Sequence, residues 1–323
     1  EHRPRPSVRA ALEGSVRWAS QSPGALASRD ATLIYVTPGW RGLLPVAVRE
    51  ASDSVYHYTD SAGLMGVLTR HELWATEAAA MNDIAEGRQG WDFIREWVTR
   101  QRGRRHPAMG MIEFLAAQAE DADPPFGHSG TSPDGIYMCC ASVHGDDANQ
   151  WRLYGGGGHG YAVELDPSTQ LMAVLPGCHP RGATAGDEDG GPAGEEPHQF
   201  VDVTPWLHVL YSEEQKSAAF TGLVKTAERQ LKRIEKESVR ARRDQGDYYG
   251  IREAHDAQIA IDLARLAQLM KSDGFSGEHE VRVIVVDQFA SRPDLVAQFR
   301  ATPFGVVRYA RLSAPSDIIE SPA

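Results

Sequence analysis

Residues 277–286 read Gly-Glu-His-Glu-Val-Arg-Val-Ile-Val-Val, a pattern typical of a β-strand. Side chains alternate between the two faces of a strand. The three odd-numbered valines therefore point into one apolar layer, whereas Glu278, Glu280 and Arg282 share the opposite face. Two carboxylates and a guanidinium are costly to bury. We therefore expect this face to border a cleft, and a surface strand with a salt-bridged face is the alternative.

Two long amphipathic helices precede this strand. Their apolar residues recur every three or four positions, as expected for one buried helical face. We therefore predict a helical insertion over residues 213–271. The apolar positions are Phe220, Leu223, Ala227, Leu231 and Ile234 in the first helix, and Ile259, Leu263, Leu266 and Met270 in the second.

Shorter elements fill the rest of the chain in an irregular order. We predict strands at Val55–Thr59, 136–143, Tyr161–Leu165, 208–211 and 306–312. We predict helices at 86–101, 111–118 and 149–154, and a short helix after Asp60 or Ser61 that carries Leu64, Val67 and Leu68. Strands and helices do not alternate as in a doubly wound sheet, so the expected fold class is mixed α+β.

The patterning divides the chain into a weakly structured start and a regular body. Residues 1–52 are expected to form an N-terminal arm or small subdomain, and residues 53–323 one domain. Within that domain, residues 180–197 are rich in Gly, Pro and acidic residues and are expected to form a mobile loop.

Composition indicates a cytoplasmic protein without a membrane span. The chain has 323 residues and a net charge of −11, which gives no overall attraction to nucleic acid or an anionic membrane. No window approaches the roughly 18 apolar residues of a membrane helix, and the first residues lack the apolar region of a signal peptide. Cys139, Cys140 and Cys178 lack zinc-site spacing, so we expect reduced cysteines and no metal.

Two segments outside the 277–286 strand carry candidate ligand-binding residues. His57, in Tyr56-His57-Tyr58-Thr59, can donate from one ring nitrogen and accept at the other, which suits a neighbouring carbonyl and a sugar hydroxyl. It can equally be a histidine that merely finishes a strand. Trp151 and Tyr154 share a helix face, where they can stack on a ring ligand or fill the core.

These segments occur in an order that resembles a family of bacterial domains of unknown function (number twenty-nine seventy-one). The resemblance runs from about Val55 to Val286. Its ordered pieces are Tyr56-His57-Tyr58, Asn82-Asp83 with Glu86, Ser142, Asp146, Gln150-Trp151, Tyr154-Gly155, Lys271, Phe275 and Glu278-x-Glu280-x-Arg282.

That family is similar in turn to the ADP-ribosyltransferase fold, which implies a mixed or antiparallel β core with flanking and inserted helices. The resemblance implies that His57 and Tyr58 hold the adenosine-side ribose of NAD and that Glu280 is catalytic. Glu278 would position or deprotonate the acceptor, and Arg282 would pair with a carboxylate or the pyrophosphate. Tyr154 or Tyr161 would stack on nicotinamide, and Trp151 is a further ligand-binding candidate.

The expected function is therefore an NAD-dependent ADP-ribosyltransferase that modifies a protein or nucleic acid, as a toxin or phage-defence protein with an antitoxin or immunity partner. NAD is the expected substrate. Three alternatives stay open: an NAD glycohydrolase effector, a non-catalytic nucleotide-binding or interaction module, and a metal hydrolase using His57, Asp60 and His71. The last lacks the HExxH spacing of zinc hydrolases.

Overall fold

The computed structural model describes residues 47–81, 84–101, 103–110, 112–113, 135–154, 159–174, 178–180, 201–244, 248–287, 297–302, 305–314 and 318–320. Several predicted features lie wholly or mostly outside these residues. They are the arm over 1–52, the helix over 111–118, the glycines at 155–158 and the loop over 180–197.

The described chain combines twelve strands with five α-helices, which confirms the mixed α+β class. The strands are β1 (Val55–Thr59), β2 (Leu73–Glu77), β3 (Ile136–Ser142), β4 (Tyr161–Leu165), β5 (Met172–Ala173), β6 (Cys178–Pro180), β7 (Val201–Val203), β8 (Leu207–His208), β9 (Glu280–Asp287), β10 (Ala297–Thr302), β11 (Gly305–Ser313) and β12 (Ile318–Glu320). The helices are α1 (Ser61–Arg70), α2 (Ile84–Arg100), α3 (Ala148–Tyr154), α4 (Glu213–Asp244) and α5 (Tyr248–Gln268). Short 3-10 helices cover Ala78–Ala80 and Asp273–Glu278.

Most predicted elements agree with the structure to within a few residues. The helical insertion over 213–271 is α4 and α5, and the strand predicted over 306–312 lies within β11. The strand predicted over 208–211 is shorter and earlier, because β8 covers Leu207–His208. Asp60 caps α1 as expected, since its Oδ1 accepts a hydrogen bond of 2.8 Å from the Gly63 amide.

Ten strands form one antiparallel sheet. Its main order is β10-β11-β2-β3-β1-β4, and β9 pairs with β3, β7 and β8. A strand has two edges, and β9 occupies one edge of β3 from Ile136 to Ser142. On the other edge, β2 pairs with Tyr137 and Met138, whereas β1 pairs with Ser142. The sheet therefore splits between β1 and β2, a feature that we call the strand split.

Apolar side chains fill a layer on each face of the sheet. Val281, Val283 and Val285 of β9 lie in one layer, as their alternation predicted. Ile284 and Val286 belong to the other layer, where α2, α4 and α5 pack. The predicted face of α2, formed by Trp91, Ile94, Trp97 and Val98, is buried there. Both faces of the central strands β3 and β9 are thus covered.

The packing of α2 on α5 generates a stability prediction. A Cβ atom at Gly90 would overlap the backbone carbonyl of Ala267, which has no flexible side-chain end that can move aside. We expect Gly90→Ala to lower the free energy of unfolding by about 1–3 kcal/mol or more, as measured by urea denaturation. Gly110→Ala is the control, because a Cβ there meets no atom within 4 Å. Equal stability of the two variants would contradict the close packing.

Candidate active site

Four charged side chains meet where the 3-10 helix after α5 leads into β9. Lys271 follows α5, Glu278 ends the 3-10 helix, and Glu280 and Arg282 lie on the first turn of alternation of β9. The Lys271 Nζ lies 2.7 Å from Glu278 Oε2 and 3.1 Å from Glu280 Oε2. We call these four residues the carboxylate cluster. Each is at most 7% exposed, so the cluster is a buried set of two anions and two cations.

Arg282 holds Glu280 in a fixed orientation. Its Nε donates to Glu280 Oε1 at 2.7 Å, and its Nη2 donates to Glu280 Oε2 at 2.9 Å. A third nitrogen, Nη1, donates to the backbone carbonyl of Gln268 at 2.6 Å, which ties the guanidinium to the end of α5. This two-pronged pairing fixes both the position and the plane of the carboxylate. Of the two roles considered for Arg282, the structure gives it a carboxylate partner.

Glu280 is ionised at neutral pH despite its burial. Burial alone raises the pKa of this carboxyl, but the Arg282 guanidinium, the Lys271 ammonium and hydrogen bonds from Arg282 and Cys140 lower it to about 2. Burial and the Glu280 charge raise the pKa of the Cys140 thiol well above its usual value. The thiol therefore stays protonated and can donate to Glu280. The site holds a permanent carboxylate rather than a base poised near neutrality.

Neighbouring backbone groups position the two carboxylates. The Glu278 carbonyl accepts hydrogen bonds from Ser142 Oγ at 3.0 Å and Gln150 Nε2 at 3.1 Å. The Glu280 amide donates to the Tyr211 hydroxyl at 2.9 Å. Ser142 and Gln150 thus hold the segment that carries Glu278, although neither was predicted as a site residue. Their presence in the ordered motif, with Lys271, was the available signal.

Two partly exposed rings lie beside the carboxylate cluster. Lys271 Nζ lies 5.0 Å from the centre of the Phe275 ring, and Phe275 is 39% exposed. Tyr154, at the end of α3, is 38% exposed. Burial and the neighbouring Cys140, Glu280 and Glu278 raise the pKa of its phenol. The predicted Tyr154 therefore lies close to both predicted carboxylates, and solvent reaches both rings.

Tyr58 and Trp151 are occupied by structural contacts. The Tyr58 hydroxyl donates to the His144 carbonyl at 2.6 Å and accepts from the Asp147 amide at 3.0 Å. The Tyr58 ring meets Trp151 edge to face, with 4.7 Å between centroids. These contacts hold the loop between β3 and α3, so the alternative in which the aromatic residues fill the core describes this pair.

The structure does not bring His57 to the carboxylate cluster. Tyr56 lies opposite Ser142, and Ser142 lies opposite Glu280, so these three side chains project to one face of the sheet. His57, the next residue on β1, projects to the other face. Its Nδ1 is hydrogen-bonded to the Cys140 carbonyl at 2.9 Å, as expected for a histidine that satisfies a neighbouring carbonyl.

Tyr161 also lies away from the carboxylate cluster. It is on β4 opposite Thr59, and β4 is separated from β9 by β1 and β3. Three strand spacings amount to roughly 14 Å. Of the two tyrosines considered for stacking on nicotinamide, the structure places Tyr154 beside the carboxylates.

The geometry at 60 and 71 does not form a metal centre with His57. Among the residues that the structure describes, no three His, Cys, Asp or Glu side chains lie close enough to hold a metal ion. Asp60 caps α1, and His71 ends that helix in the left-handed conformation with φ of 54°.

With this geometry, comparison with known proteins can be interpreted. Residues 150–283 match the family model described as "Protein of unknown function (DUF2971)". The chain carries a domain of this family. A search of the curated proteins and a search of the solved structures found no match.

The DUF2971 match covers one side of the site only. It includes Gln150, Tyr154 and the whole carboxylate cluster, whereas His57 and Tyr58 lie before its first residue. The resemblance over Val55 to Val286 was therefore broader than the DUF2971 segment. None of the described helices is long and apolar enough to span a membrane.

The Glu280 carboxylate generates a prediction about acid stability. Its folded-state pKa of about 2 lies below the ordinary value of 4.5. Its contribution is therefore present above pH 4.5 and is lost as the pH falls towards 2. We expect the wild-type protein to lose on the order of 3 kcal/mol of unfolding free energy from this group across that window, as measured by urea denaturation at each pH.

The matched variants are Glu280→Gln and Glu164→Gln, the latter at an exposed position on β4. Glu280→Gln is expected to be less stable than wild type at pH 7, because it leaves Arg282 buried without its carboxylate. That difference should shrink as the pH falls, whereas Glu164→Gln should follow wild type throughout. A constant difference between Glu280→Gln and wild type from pH 7 to pH 2 would contradict the assignment.

Proposed function

We propose that this chain is an ADP-ribosyltransferase that cleaves the nicotinamide glycosidic bond of NAD and transfers ADP-ribose to a protein or nucleic acid. The observation that carries the proposal is the ionised, rigidly held Glu280 at the start of β9, with Tyr154 and Glu278 beside it. The resemblance of the ordered motif to the ADP-ribosyltransferase fold supplies the reaction class. The fold itself is part of the proposal.

The chemistry needs a negative charge near the reacting ribose. Breaking the bond from the ribose carbon to nicotinamide sends the electron pair to nicotinamide, which leaves as a neutral molecule. Positive charge then develops on the ribose carbon, as in glycoside cleavage. An ionised carboxylate that accepts a hydrogen bond from the adjacent hydroxyl stabilises this charge as it forms. A carboxylate with a pKa of about 2 is suited to that role and poorly suited to removing protons.

Lys271 gives the substrate hydroxyl a route to Glu280. The ammonium lies closer to Glu278, at 2.7 Å, than to Glu280, at 3.1 Å. In the proposed complex, the ribose hydroxyl replaces Lys271 at Glu280 Oε2, and Lys271 keeps its bond to Glu278. Arg282 continues to hold the carboxylate through its own two hydrogen bonds.

The remaining residues complete the transfer. Tyr154 stacks on the nicotinamide ring, because it is partly exposed and lies beside both carboxylates. The acceptor oxygen or nitrogen forms a bond to the ribose carbon and gives up a proton, which passes to Glu278. With water as the acceptor, the same steps make the protein an NAD glycohydrolase. Since NAD is a cytoplasmic metabolite, we place the protein in the cytoplasm, where an antitoxin or immunity partner would restrain it.

One observation favours a second candidate function. The two cations balance the two carboxylates, and Glu280 receives hydrogen bonds from Arg282 and Lys271 while only 6% exposed. Such a cluster is satisfied without a ligand and can serve to hold α5 against β9. A non-catalytic nucleotide-binding module would use the same fold and leave NAD intact.

Release of nicotinamide from NAD by the purified protein tests the two functions. We expect wild-type release that falls at least about 100-fold in Glu280→Gln, since removing one group that stabilises transition-state charge typically costs that much. Glu164→Gln is the control for loss of an exposed carboxylate. A chelator is present throughout, and each variant is checked for folding by its melting temperature.

The products then separate the remaining alternatives. Label from NAD carried on a macromolecule indicates transfer, whereas free ADP-ribose alone indicates a glycohydrolase. NAD binding without nicotinamide release, in the presence of cell extract as a source of acceptor, would favour the non-catalytic module. Release that persists unchanged in folded Glu280→Gln would disprove the role of Glu280.

A further inference from the structure

The strand split exposes a second group of functional side chains, away from the carboxylate cluster. Cys139, Cys140 and Ala141 lie between the β3 residues that pair with β2 and the one that pairs with β1. The backbone carbonyl of Cys140 accepts a hydrogen bond from the His57 ring at this point. The opening thus has His57 on its β1 side, and its β2 side carries Trp74 and Thr76.

Arg300 of β10 is fixed beside this opening by aromatic contacts. The guanidinium carbon lies 5.5 Å from the centre of the Trp74 ring and 5.9 Å from that of Tyr309. Its Nη2 donates to Thr76 Oγ1 at 2.7 Å. The two rings are themselves in contact, with 4.9 Å between centroids. Stacking holds a guanidinium in place without using its in-plane donors.

The positive charge of Arg300 is not neutralised by a direct ion pair. Among the described residues, no carboxylate lies within 4.0 Å of it, and its Nε is buried without a hydrogen-bond partner. The nearest acidic influence is Asp60, whose carboxylate accepts from the Gly63 amide. Burial lowers the pKa of Arg300, and its other donors remain available on a half-buried side chain.

The tautomer of His57 adds a second contact of defined polarity. A carbonyl oxygen can only accept a hydrogen bond, so the proton of the neutral ring is on Nδ1, which donates to Cys140. The lone pair is then on Nε2, which accepts from a hydroxyl. Burial and the nearby Arg300 charge lower the pKa of His57, which keeps the ring neutral.

We propose that the strand split binds a phosphorylated sugar, with the phosphate on Arg300 and a sugar hydroxyl donating to Nε2 of His57. A guanidinium presents several donors in one plane, which matches the oxygens of a phosphate. Trp74 and Tyr309 act as positioning residues for Arg300. Arg300 lies outside the 150–283 segment that matches the family model.

This binding site does not require NAD cleavage by Glu280. It applies equally to a catalytic protein and to a non-catalytic nucleotide-binding module. The two proposals therefore fail separately: loss of nicotinamide release bears on Glu280, whereas loss of phosphate-dependent binding bears on Arg300.

Calorimetric titration of the full chain with ADP, adenosine and inorganic phosphate tests the inference. Wild type is expected to bind ADP more tightly than either adenosine or inorganic phosphate. Arg300→Gln should weaken ADP binding roughly 10- to 100-fold, the usual effect of losing hydrogen bonds to a charged group, and leave adenosine binding unchanged. Arg300→Lys, which keeps the charge but not the planar donors, should give an intermediate loss.

Arg100→Gln is the matched control, because Arg100 is an exposed arginine at the end of α2. Unchanged ADP binding in Arg300→Gln, or an equal loss for ADP and adenosine, would overturn the phosphate contact. Equal wild-type affinity for ADP and inorganic phosphate would overturn the assignment to a sugar, and no binding of any probe would overturn the site. If Arg300→Gln does not fold, Arg300→Lys decides through its ratio of ADP to adenosine affinity.

Discussion

The continuous antiparallel pairing of β3 with β9 is the constraint on which the rest of the structure depends. Seven consecutive residues of β3, from Ile136 to Ser142, lie opposite β9. This pairing fixes which side chains face each layer, and it places Glu280 opposite Ser142 at one end. It also leaves the other edge of β3 free for β1 and β2. The carboxylate cluster and the strand split are both consequences of that single register.

The same pairing puts charged groups where the free energy of burial is highest. Arg282 lies opposite Cys140 in the middle of the sheet and is 1% exposed. An unpaired guanidinium there would be strongly destabilising. Glu280 and the Gln268 carbonyl therefore serve a structural purpose whatever their role towards a ligand. A functional carboxylate and a structural ion pair are here the same group, which is why substitutions must be assessed for folding and for activity together.

Local periodicity carried much of the fold from sequence, whereas the relative placement of elements did not follow from it. The alternation in β9 and the helical spacing in α4 and α5 depend on neighbours along the chain, and they agree with the structure. Strand β2 was not predicted, because Leu73-Trp74-Ala75-Thr76-Glu77 gives a weak pattern of its own. The proximity of Glu278, Glu280 and Arg282 followed from their spacing, whereas the opposite orientation of His57 depends on how β1 meets β3. Arg300 carried no signal, since its partners lie more than two hundred positions upstream at Trp74 and Thr76.

The distance in sequence between β3 and β9 also has a consequence for synthesis on the ribosome. The central strand β3 acquires its main partner only after residues 280–287 have emerged, long after β1, β2 and β3 have been made. Until then, β3 presents an open edge of mostly apolar residues, the kind of surface that promotes aggregation of nascent chains. Contacts of such long range also slow folding. The biogenesis of this protein is therefore one in which chaperone protection of the first half of the chain, before the second half is complete, has a direct physical basis.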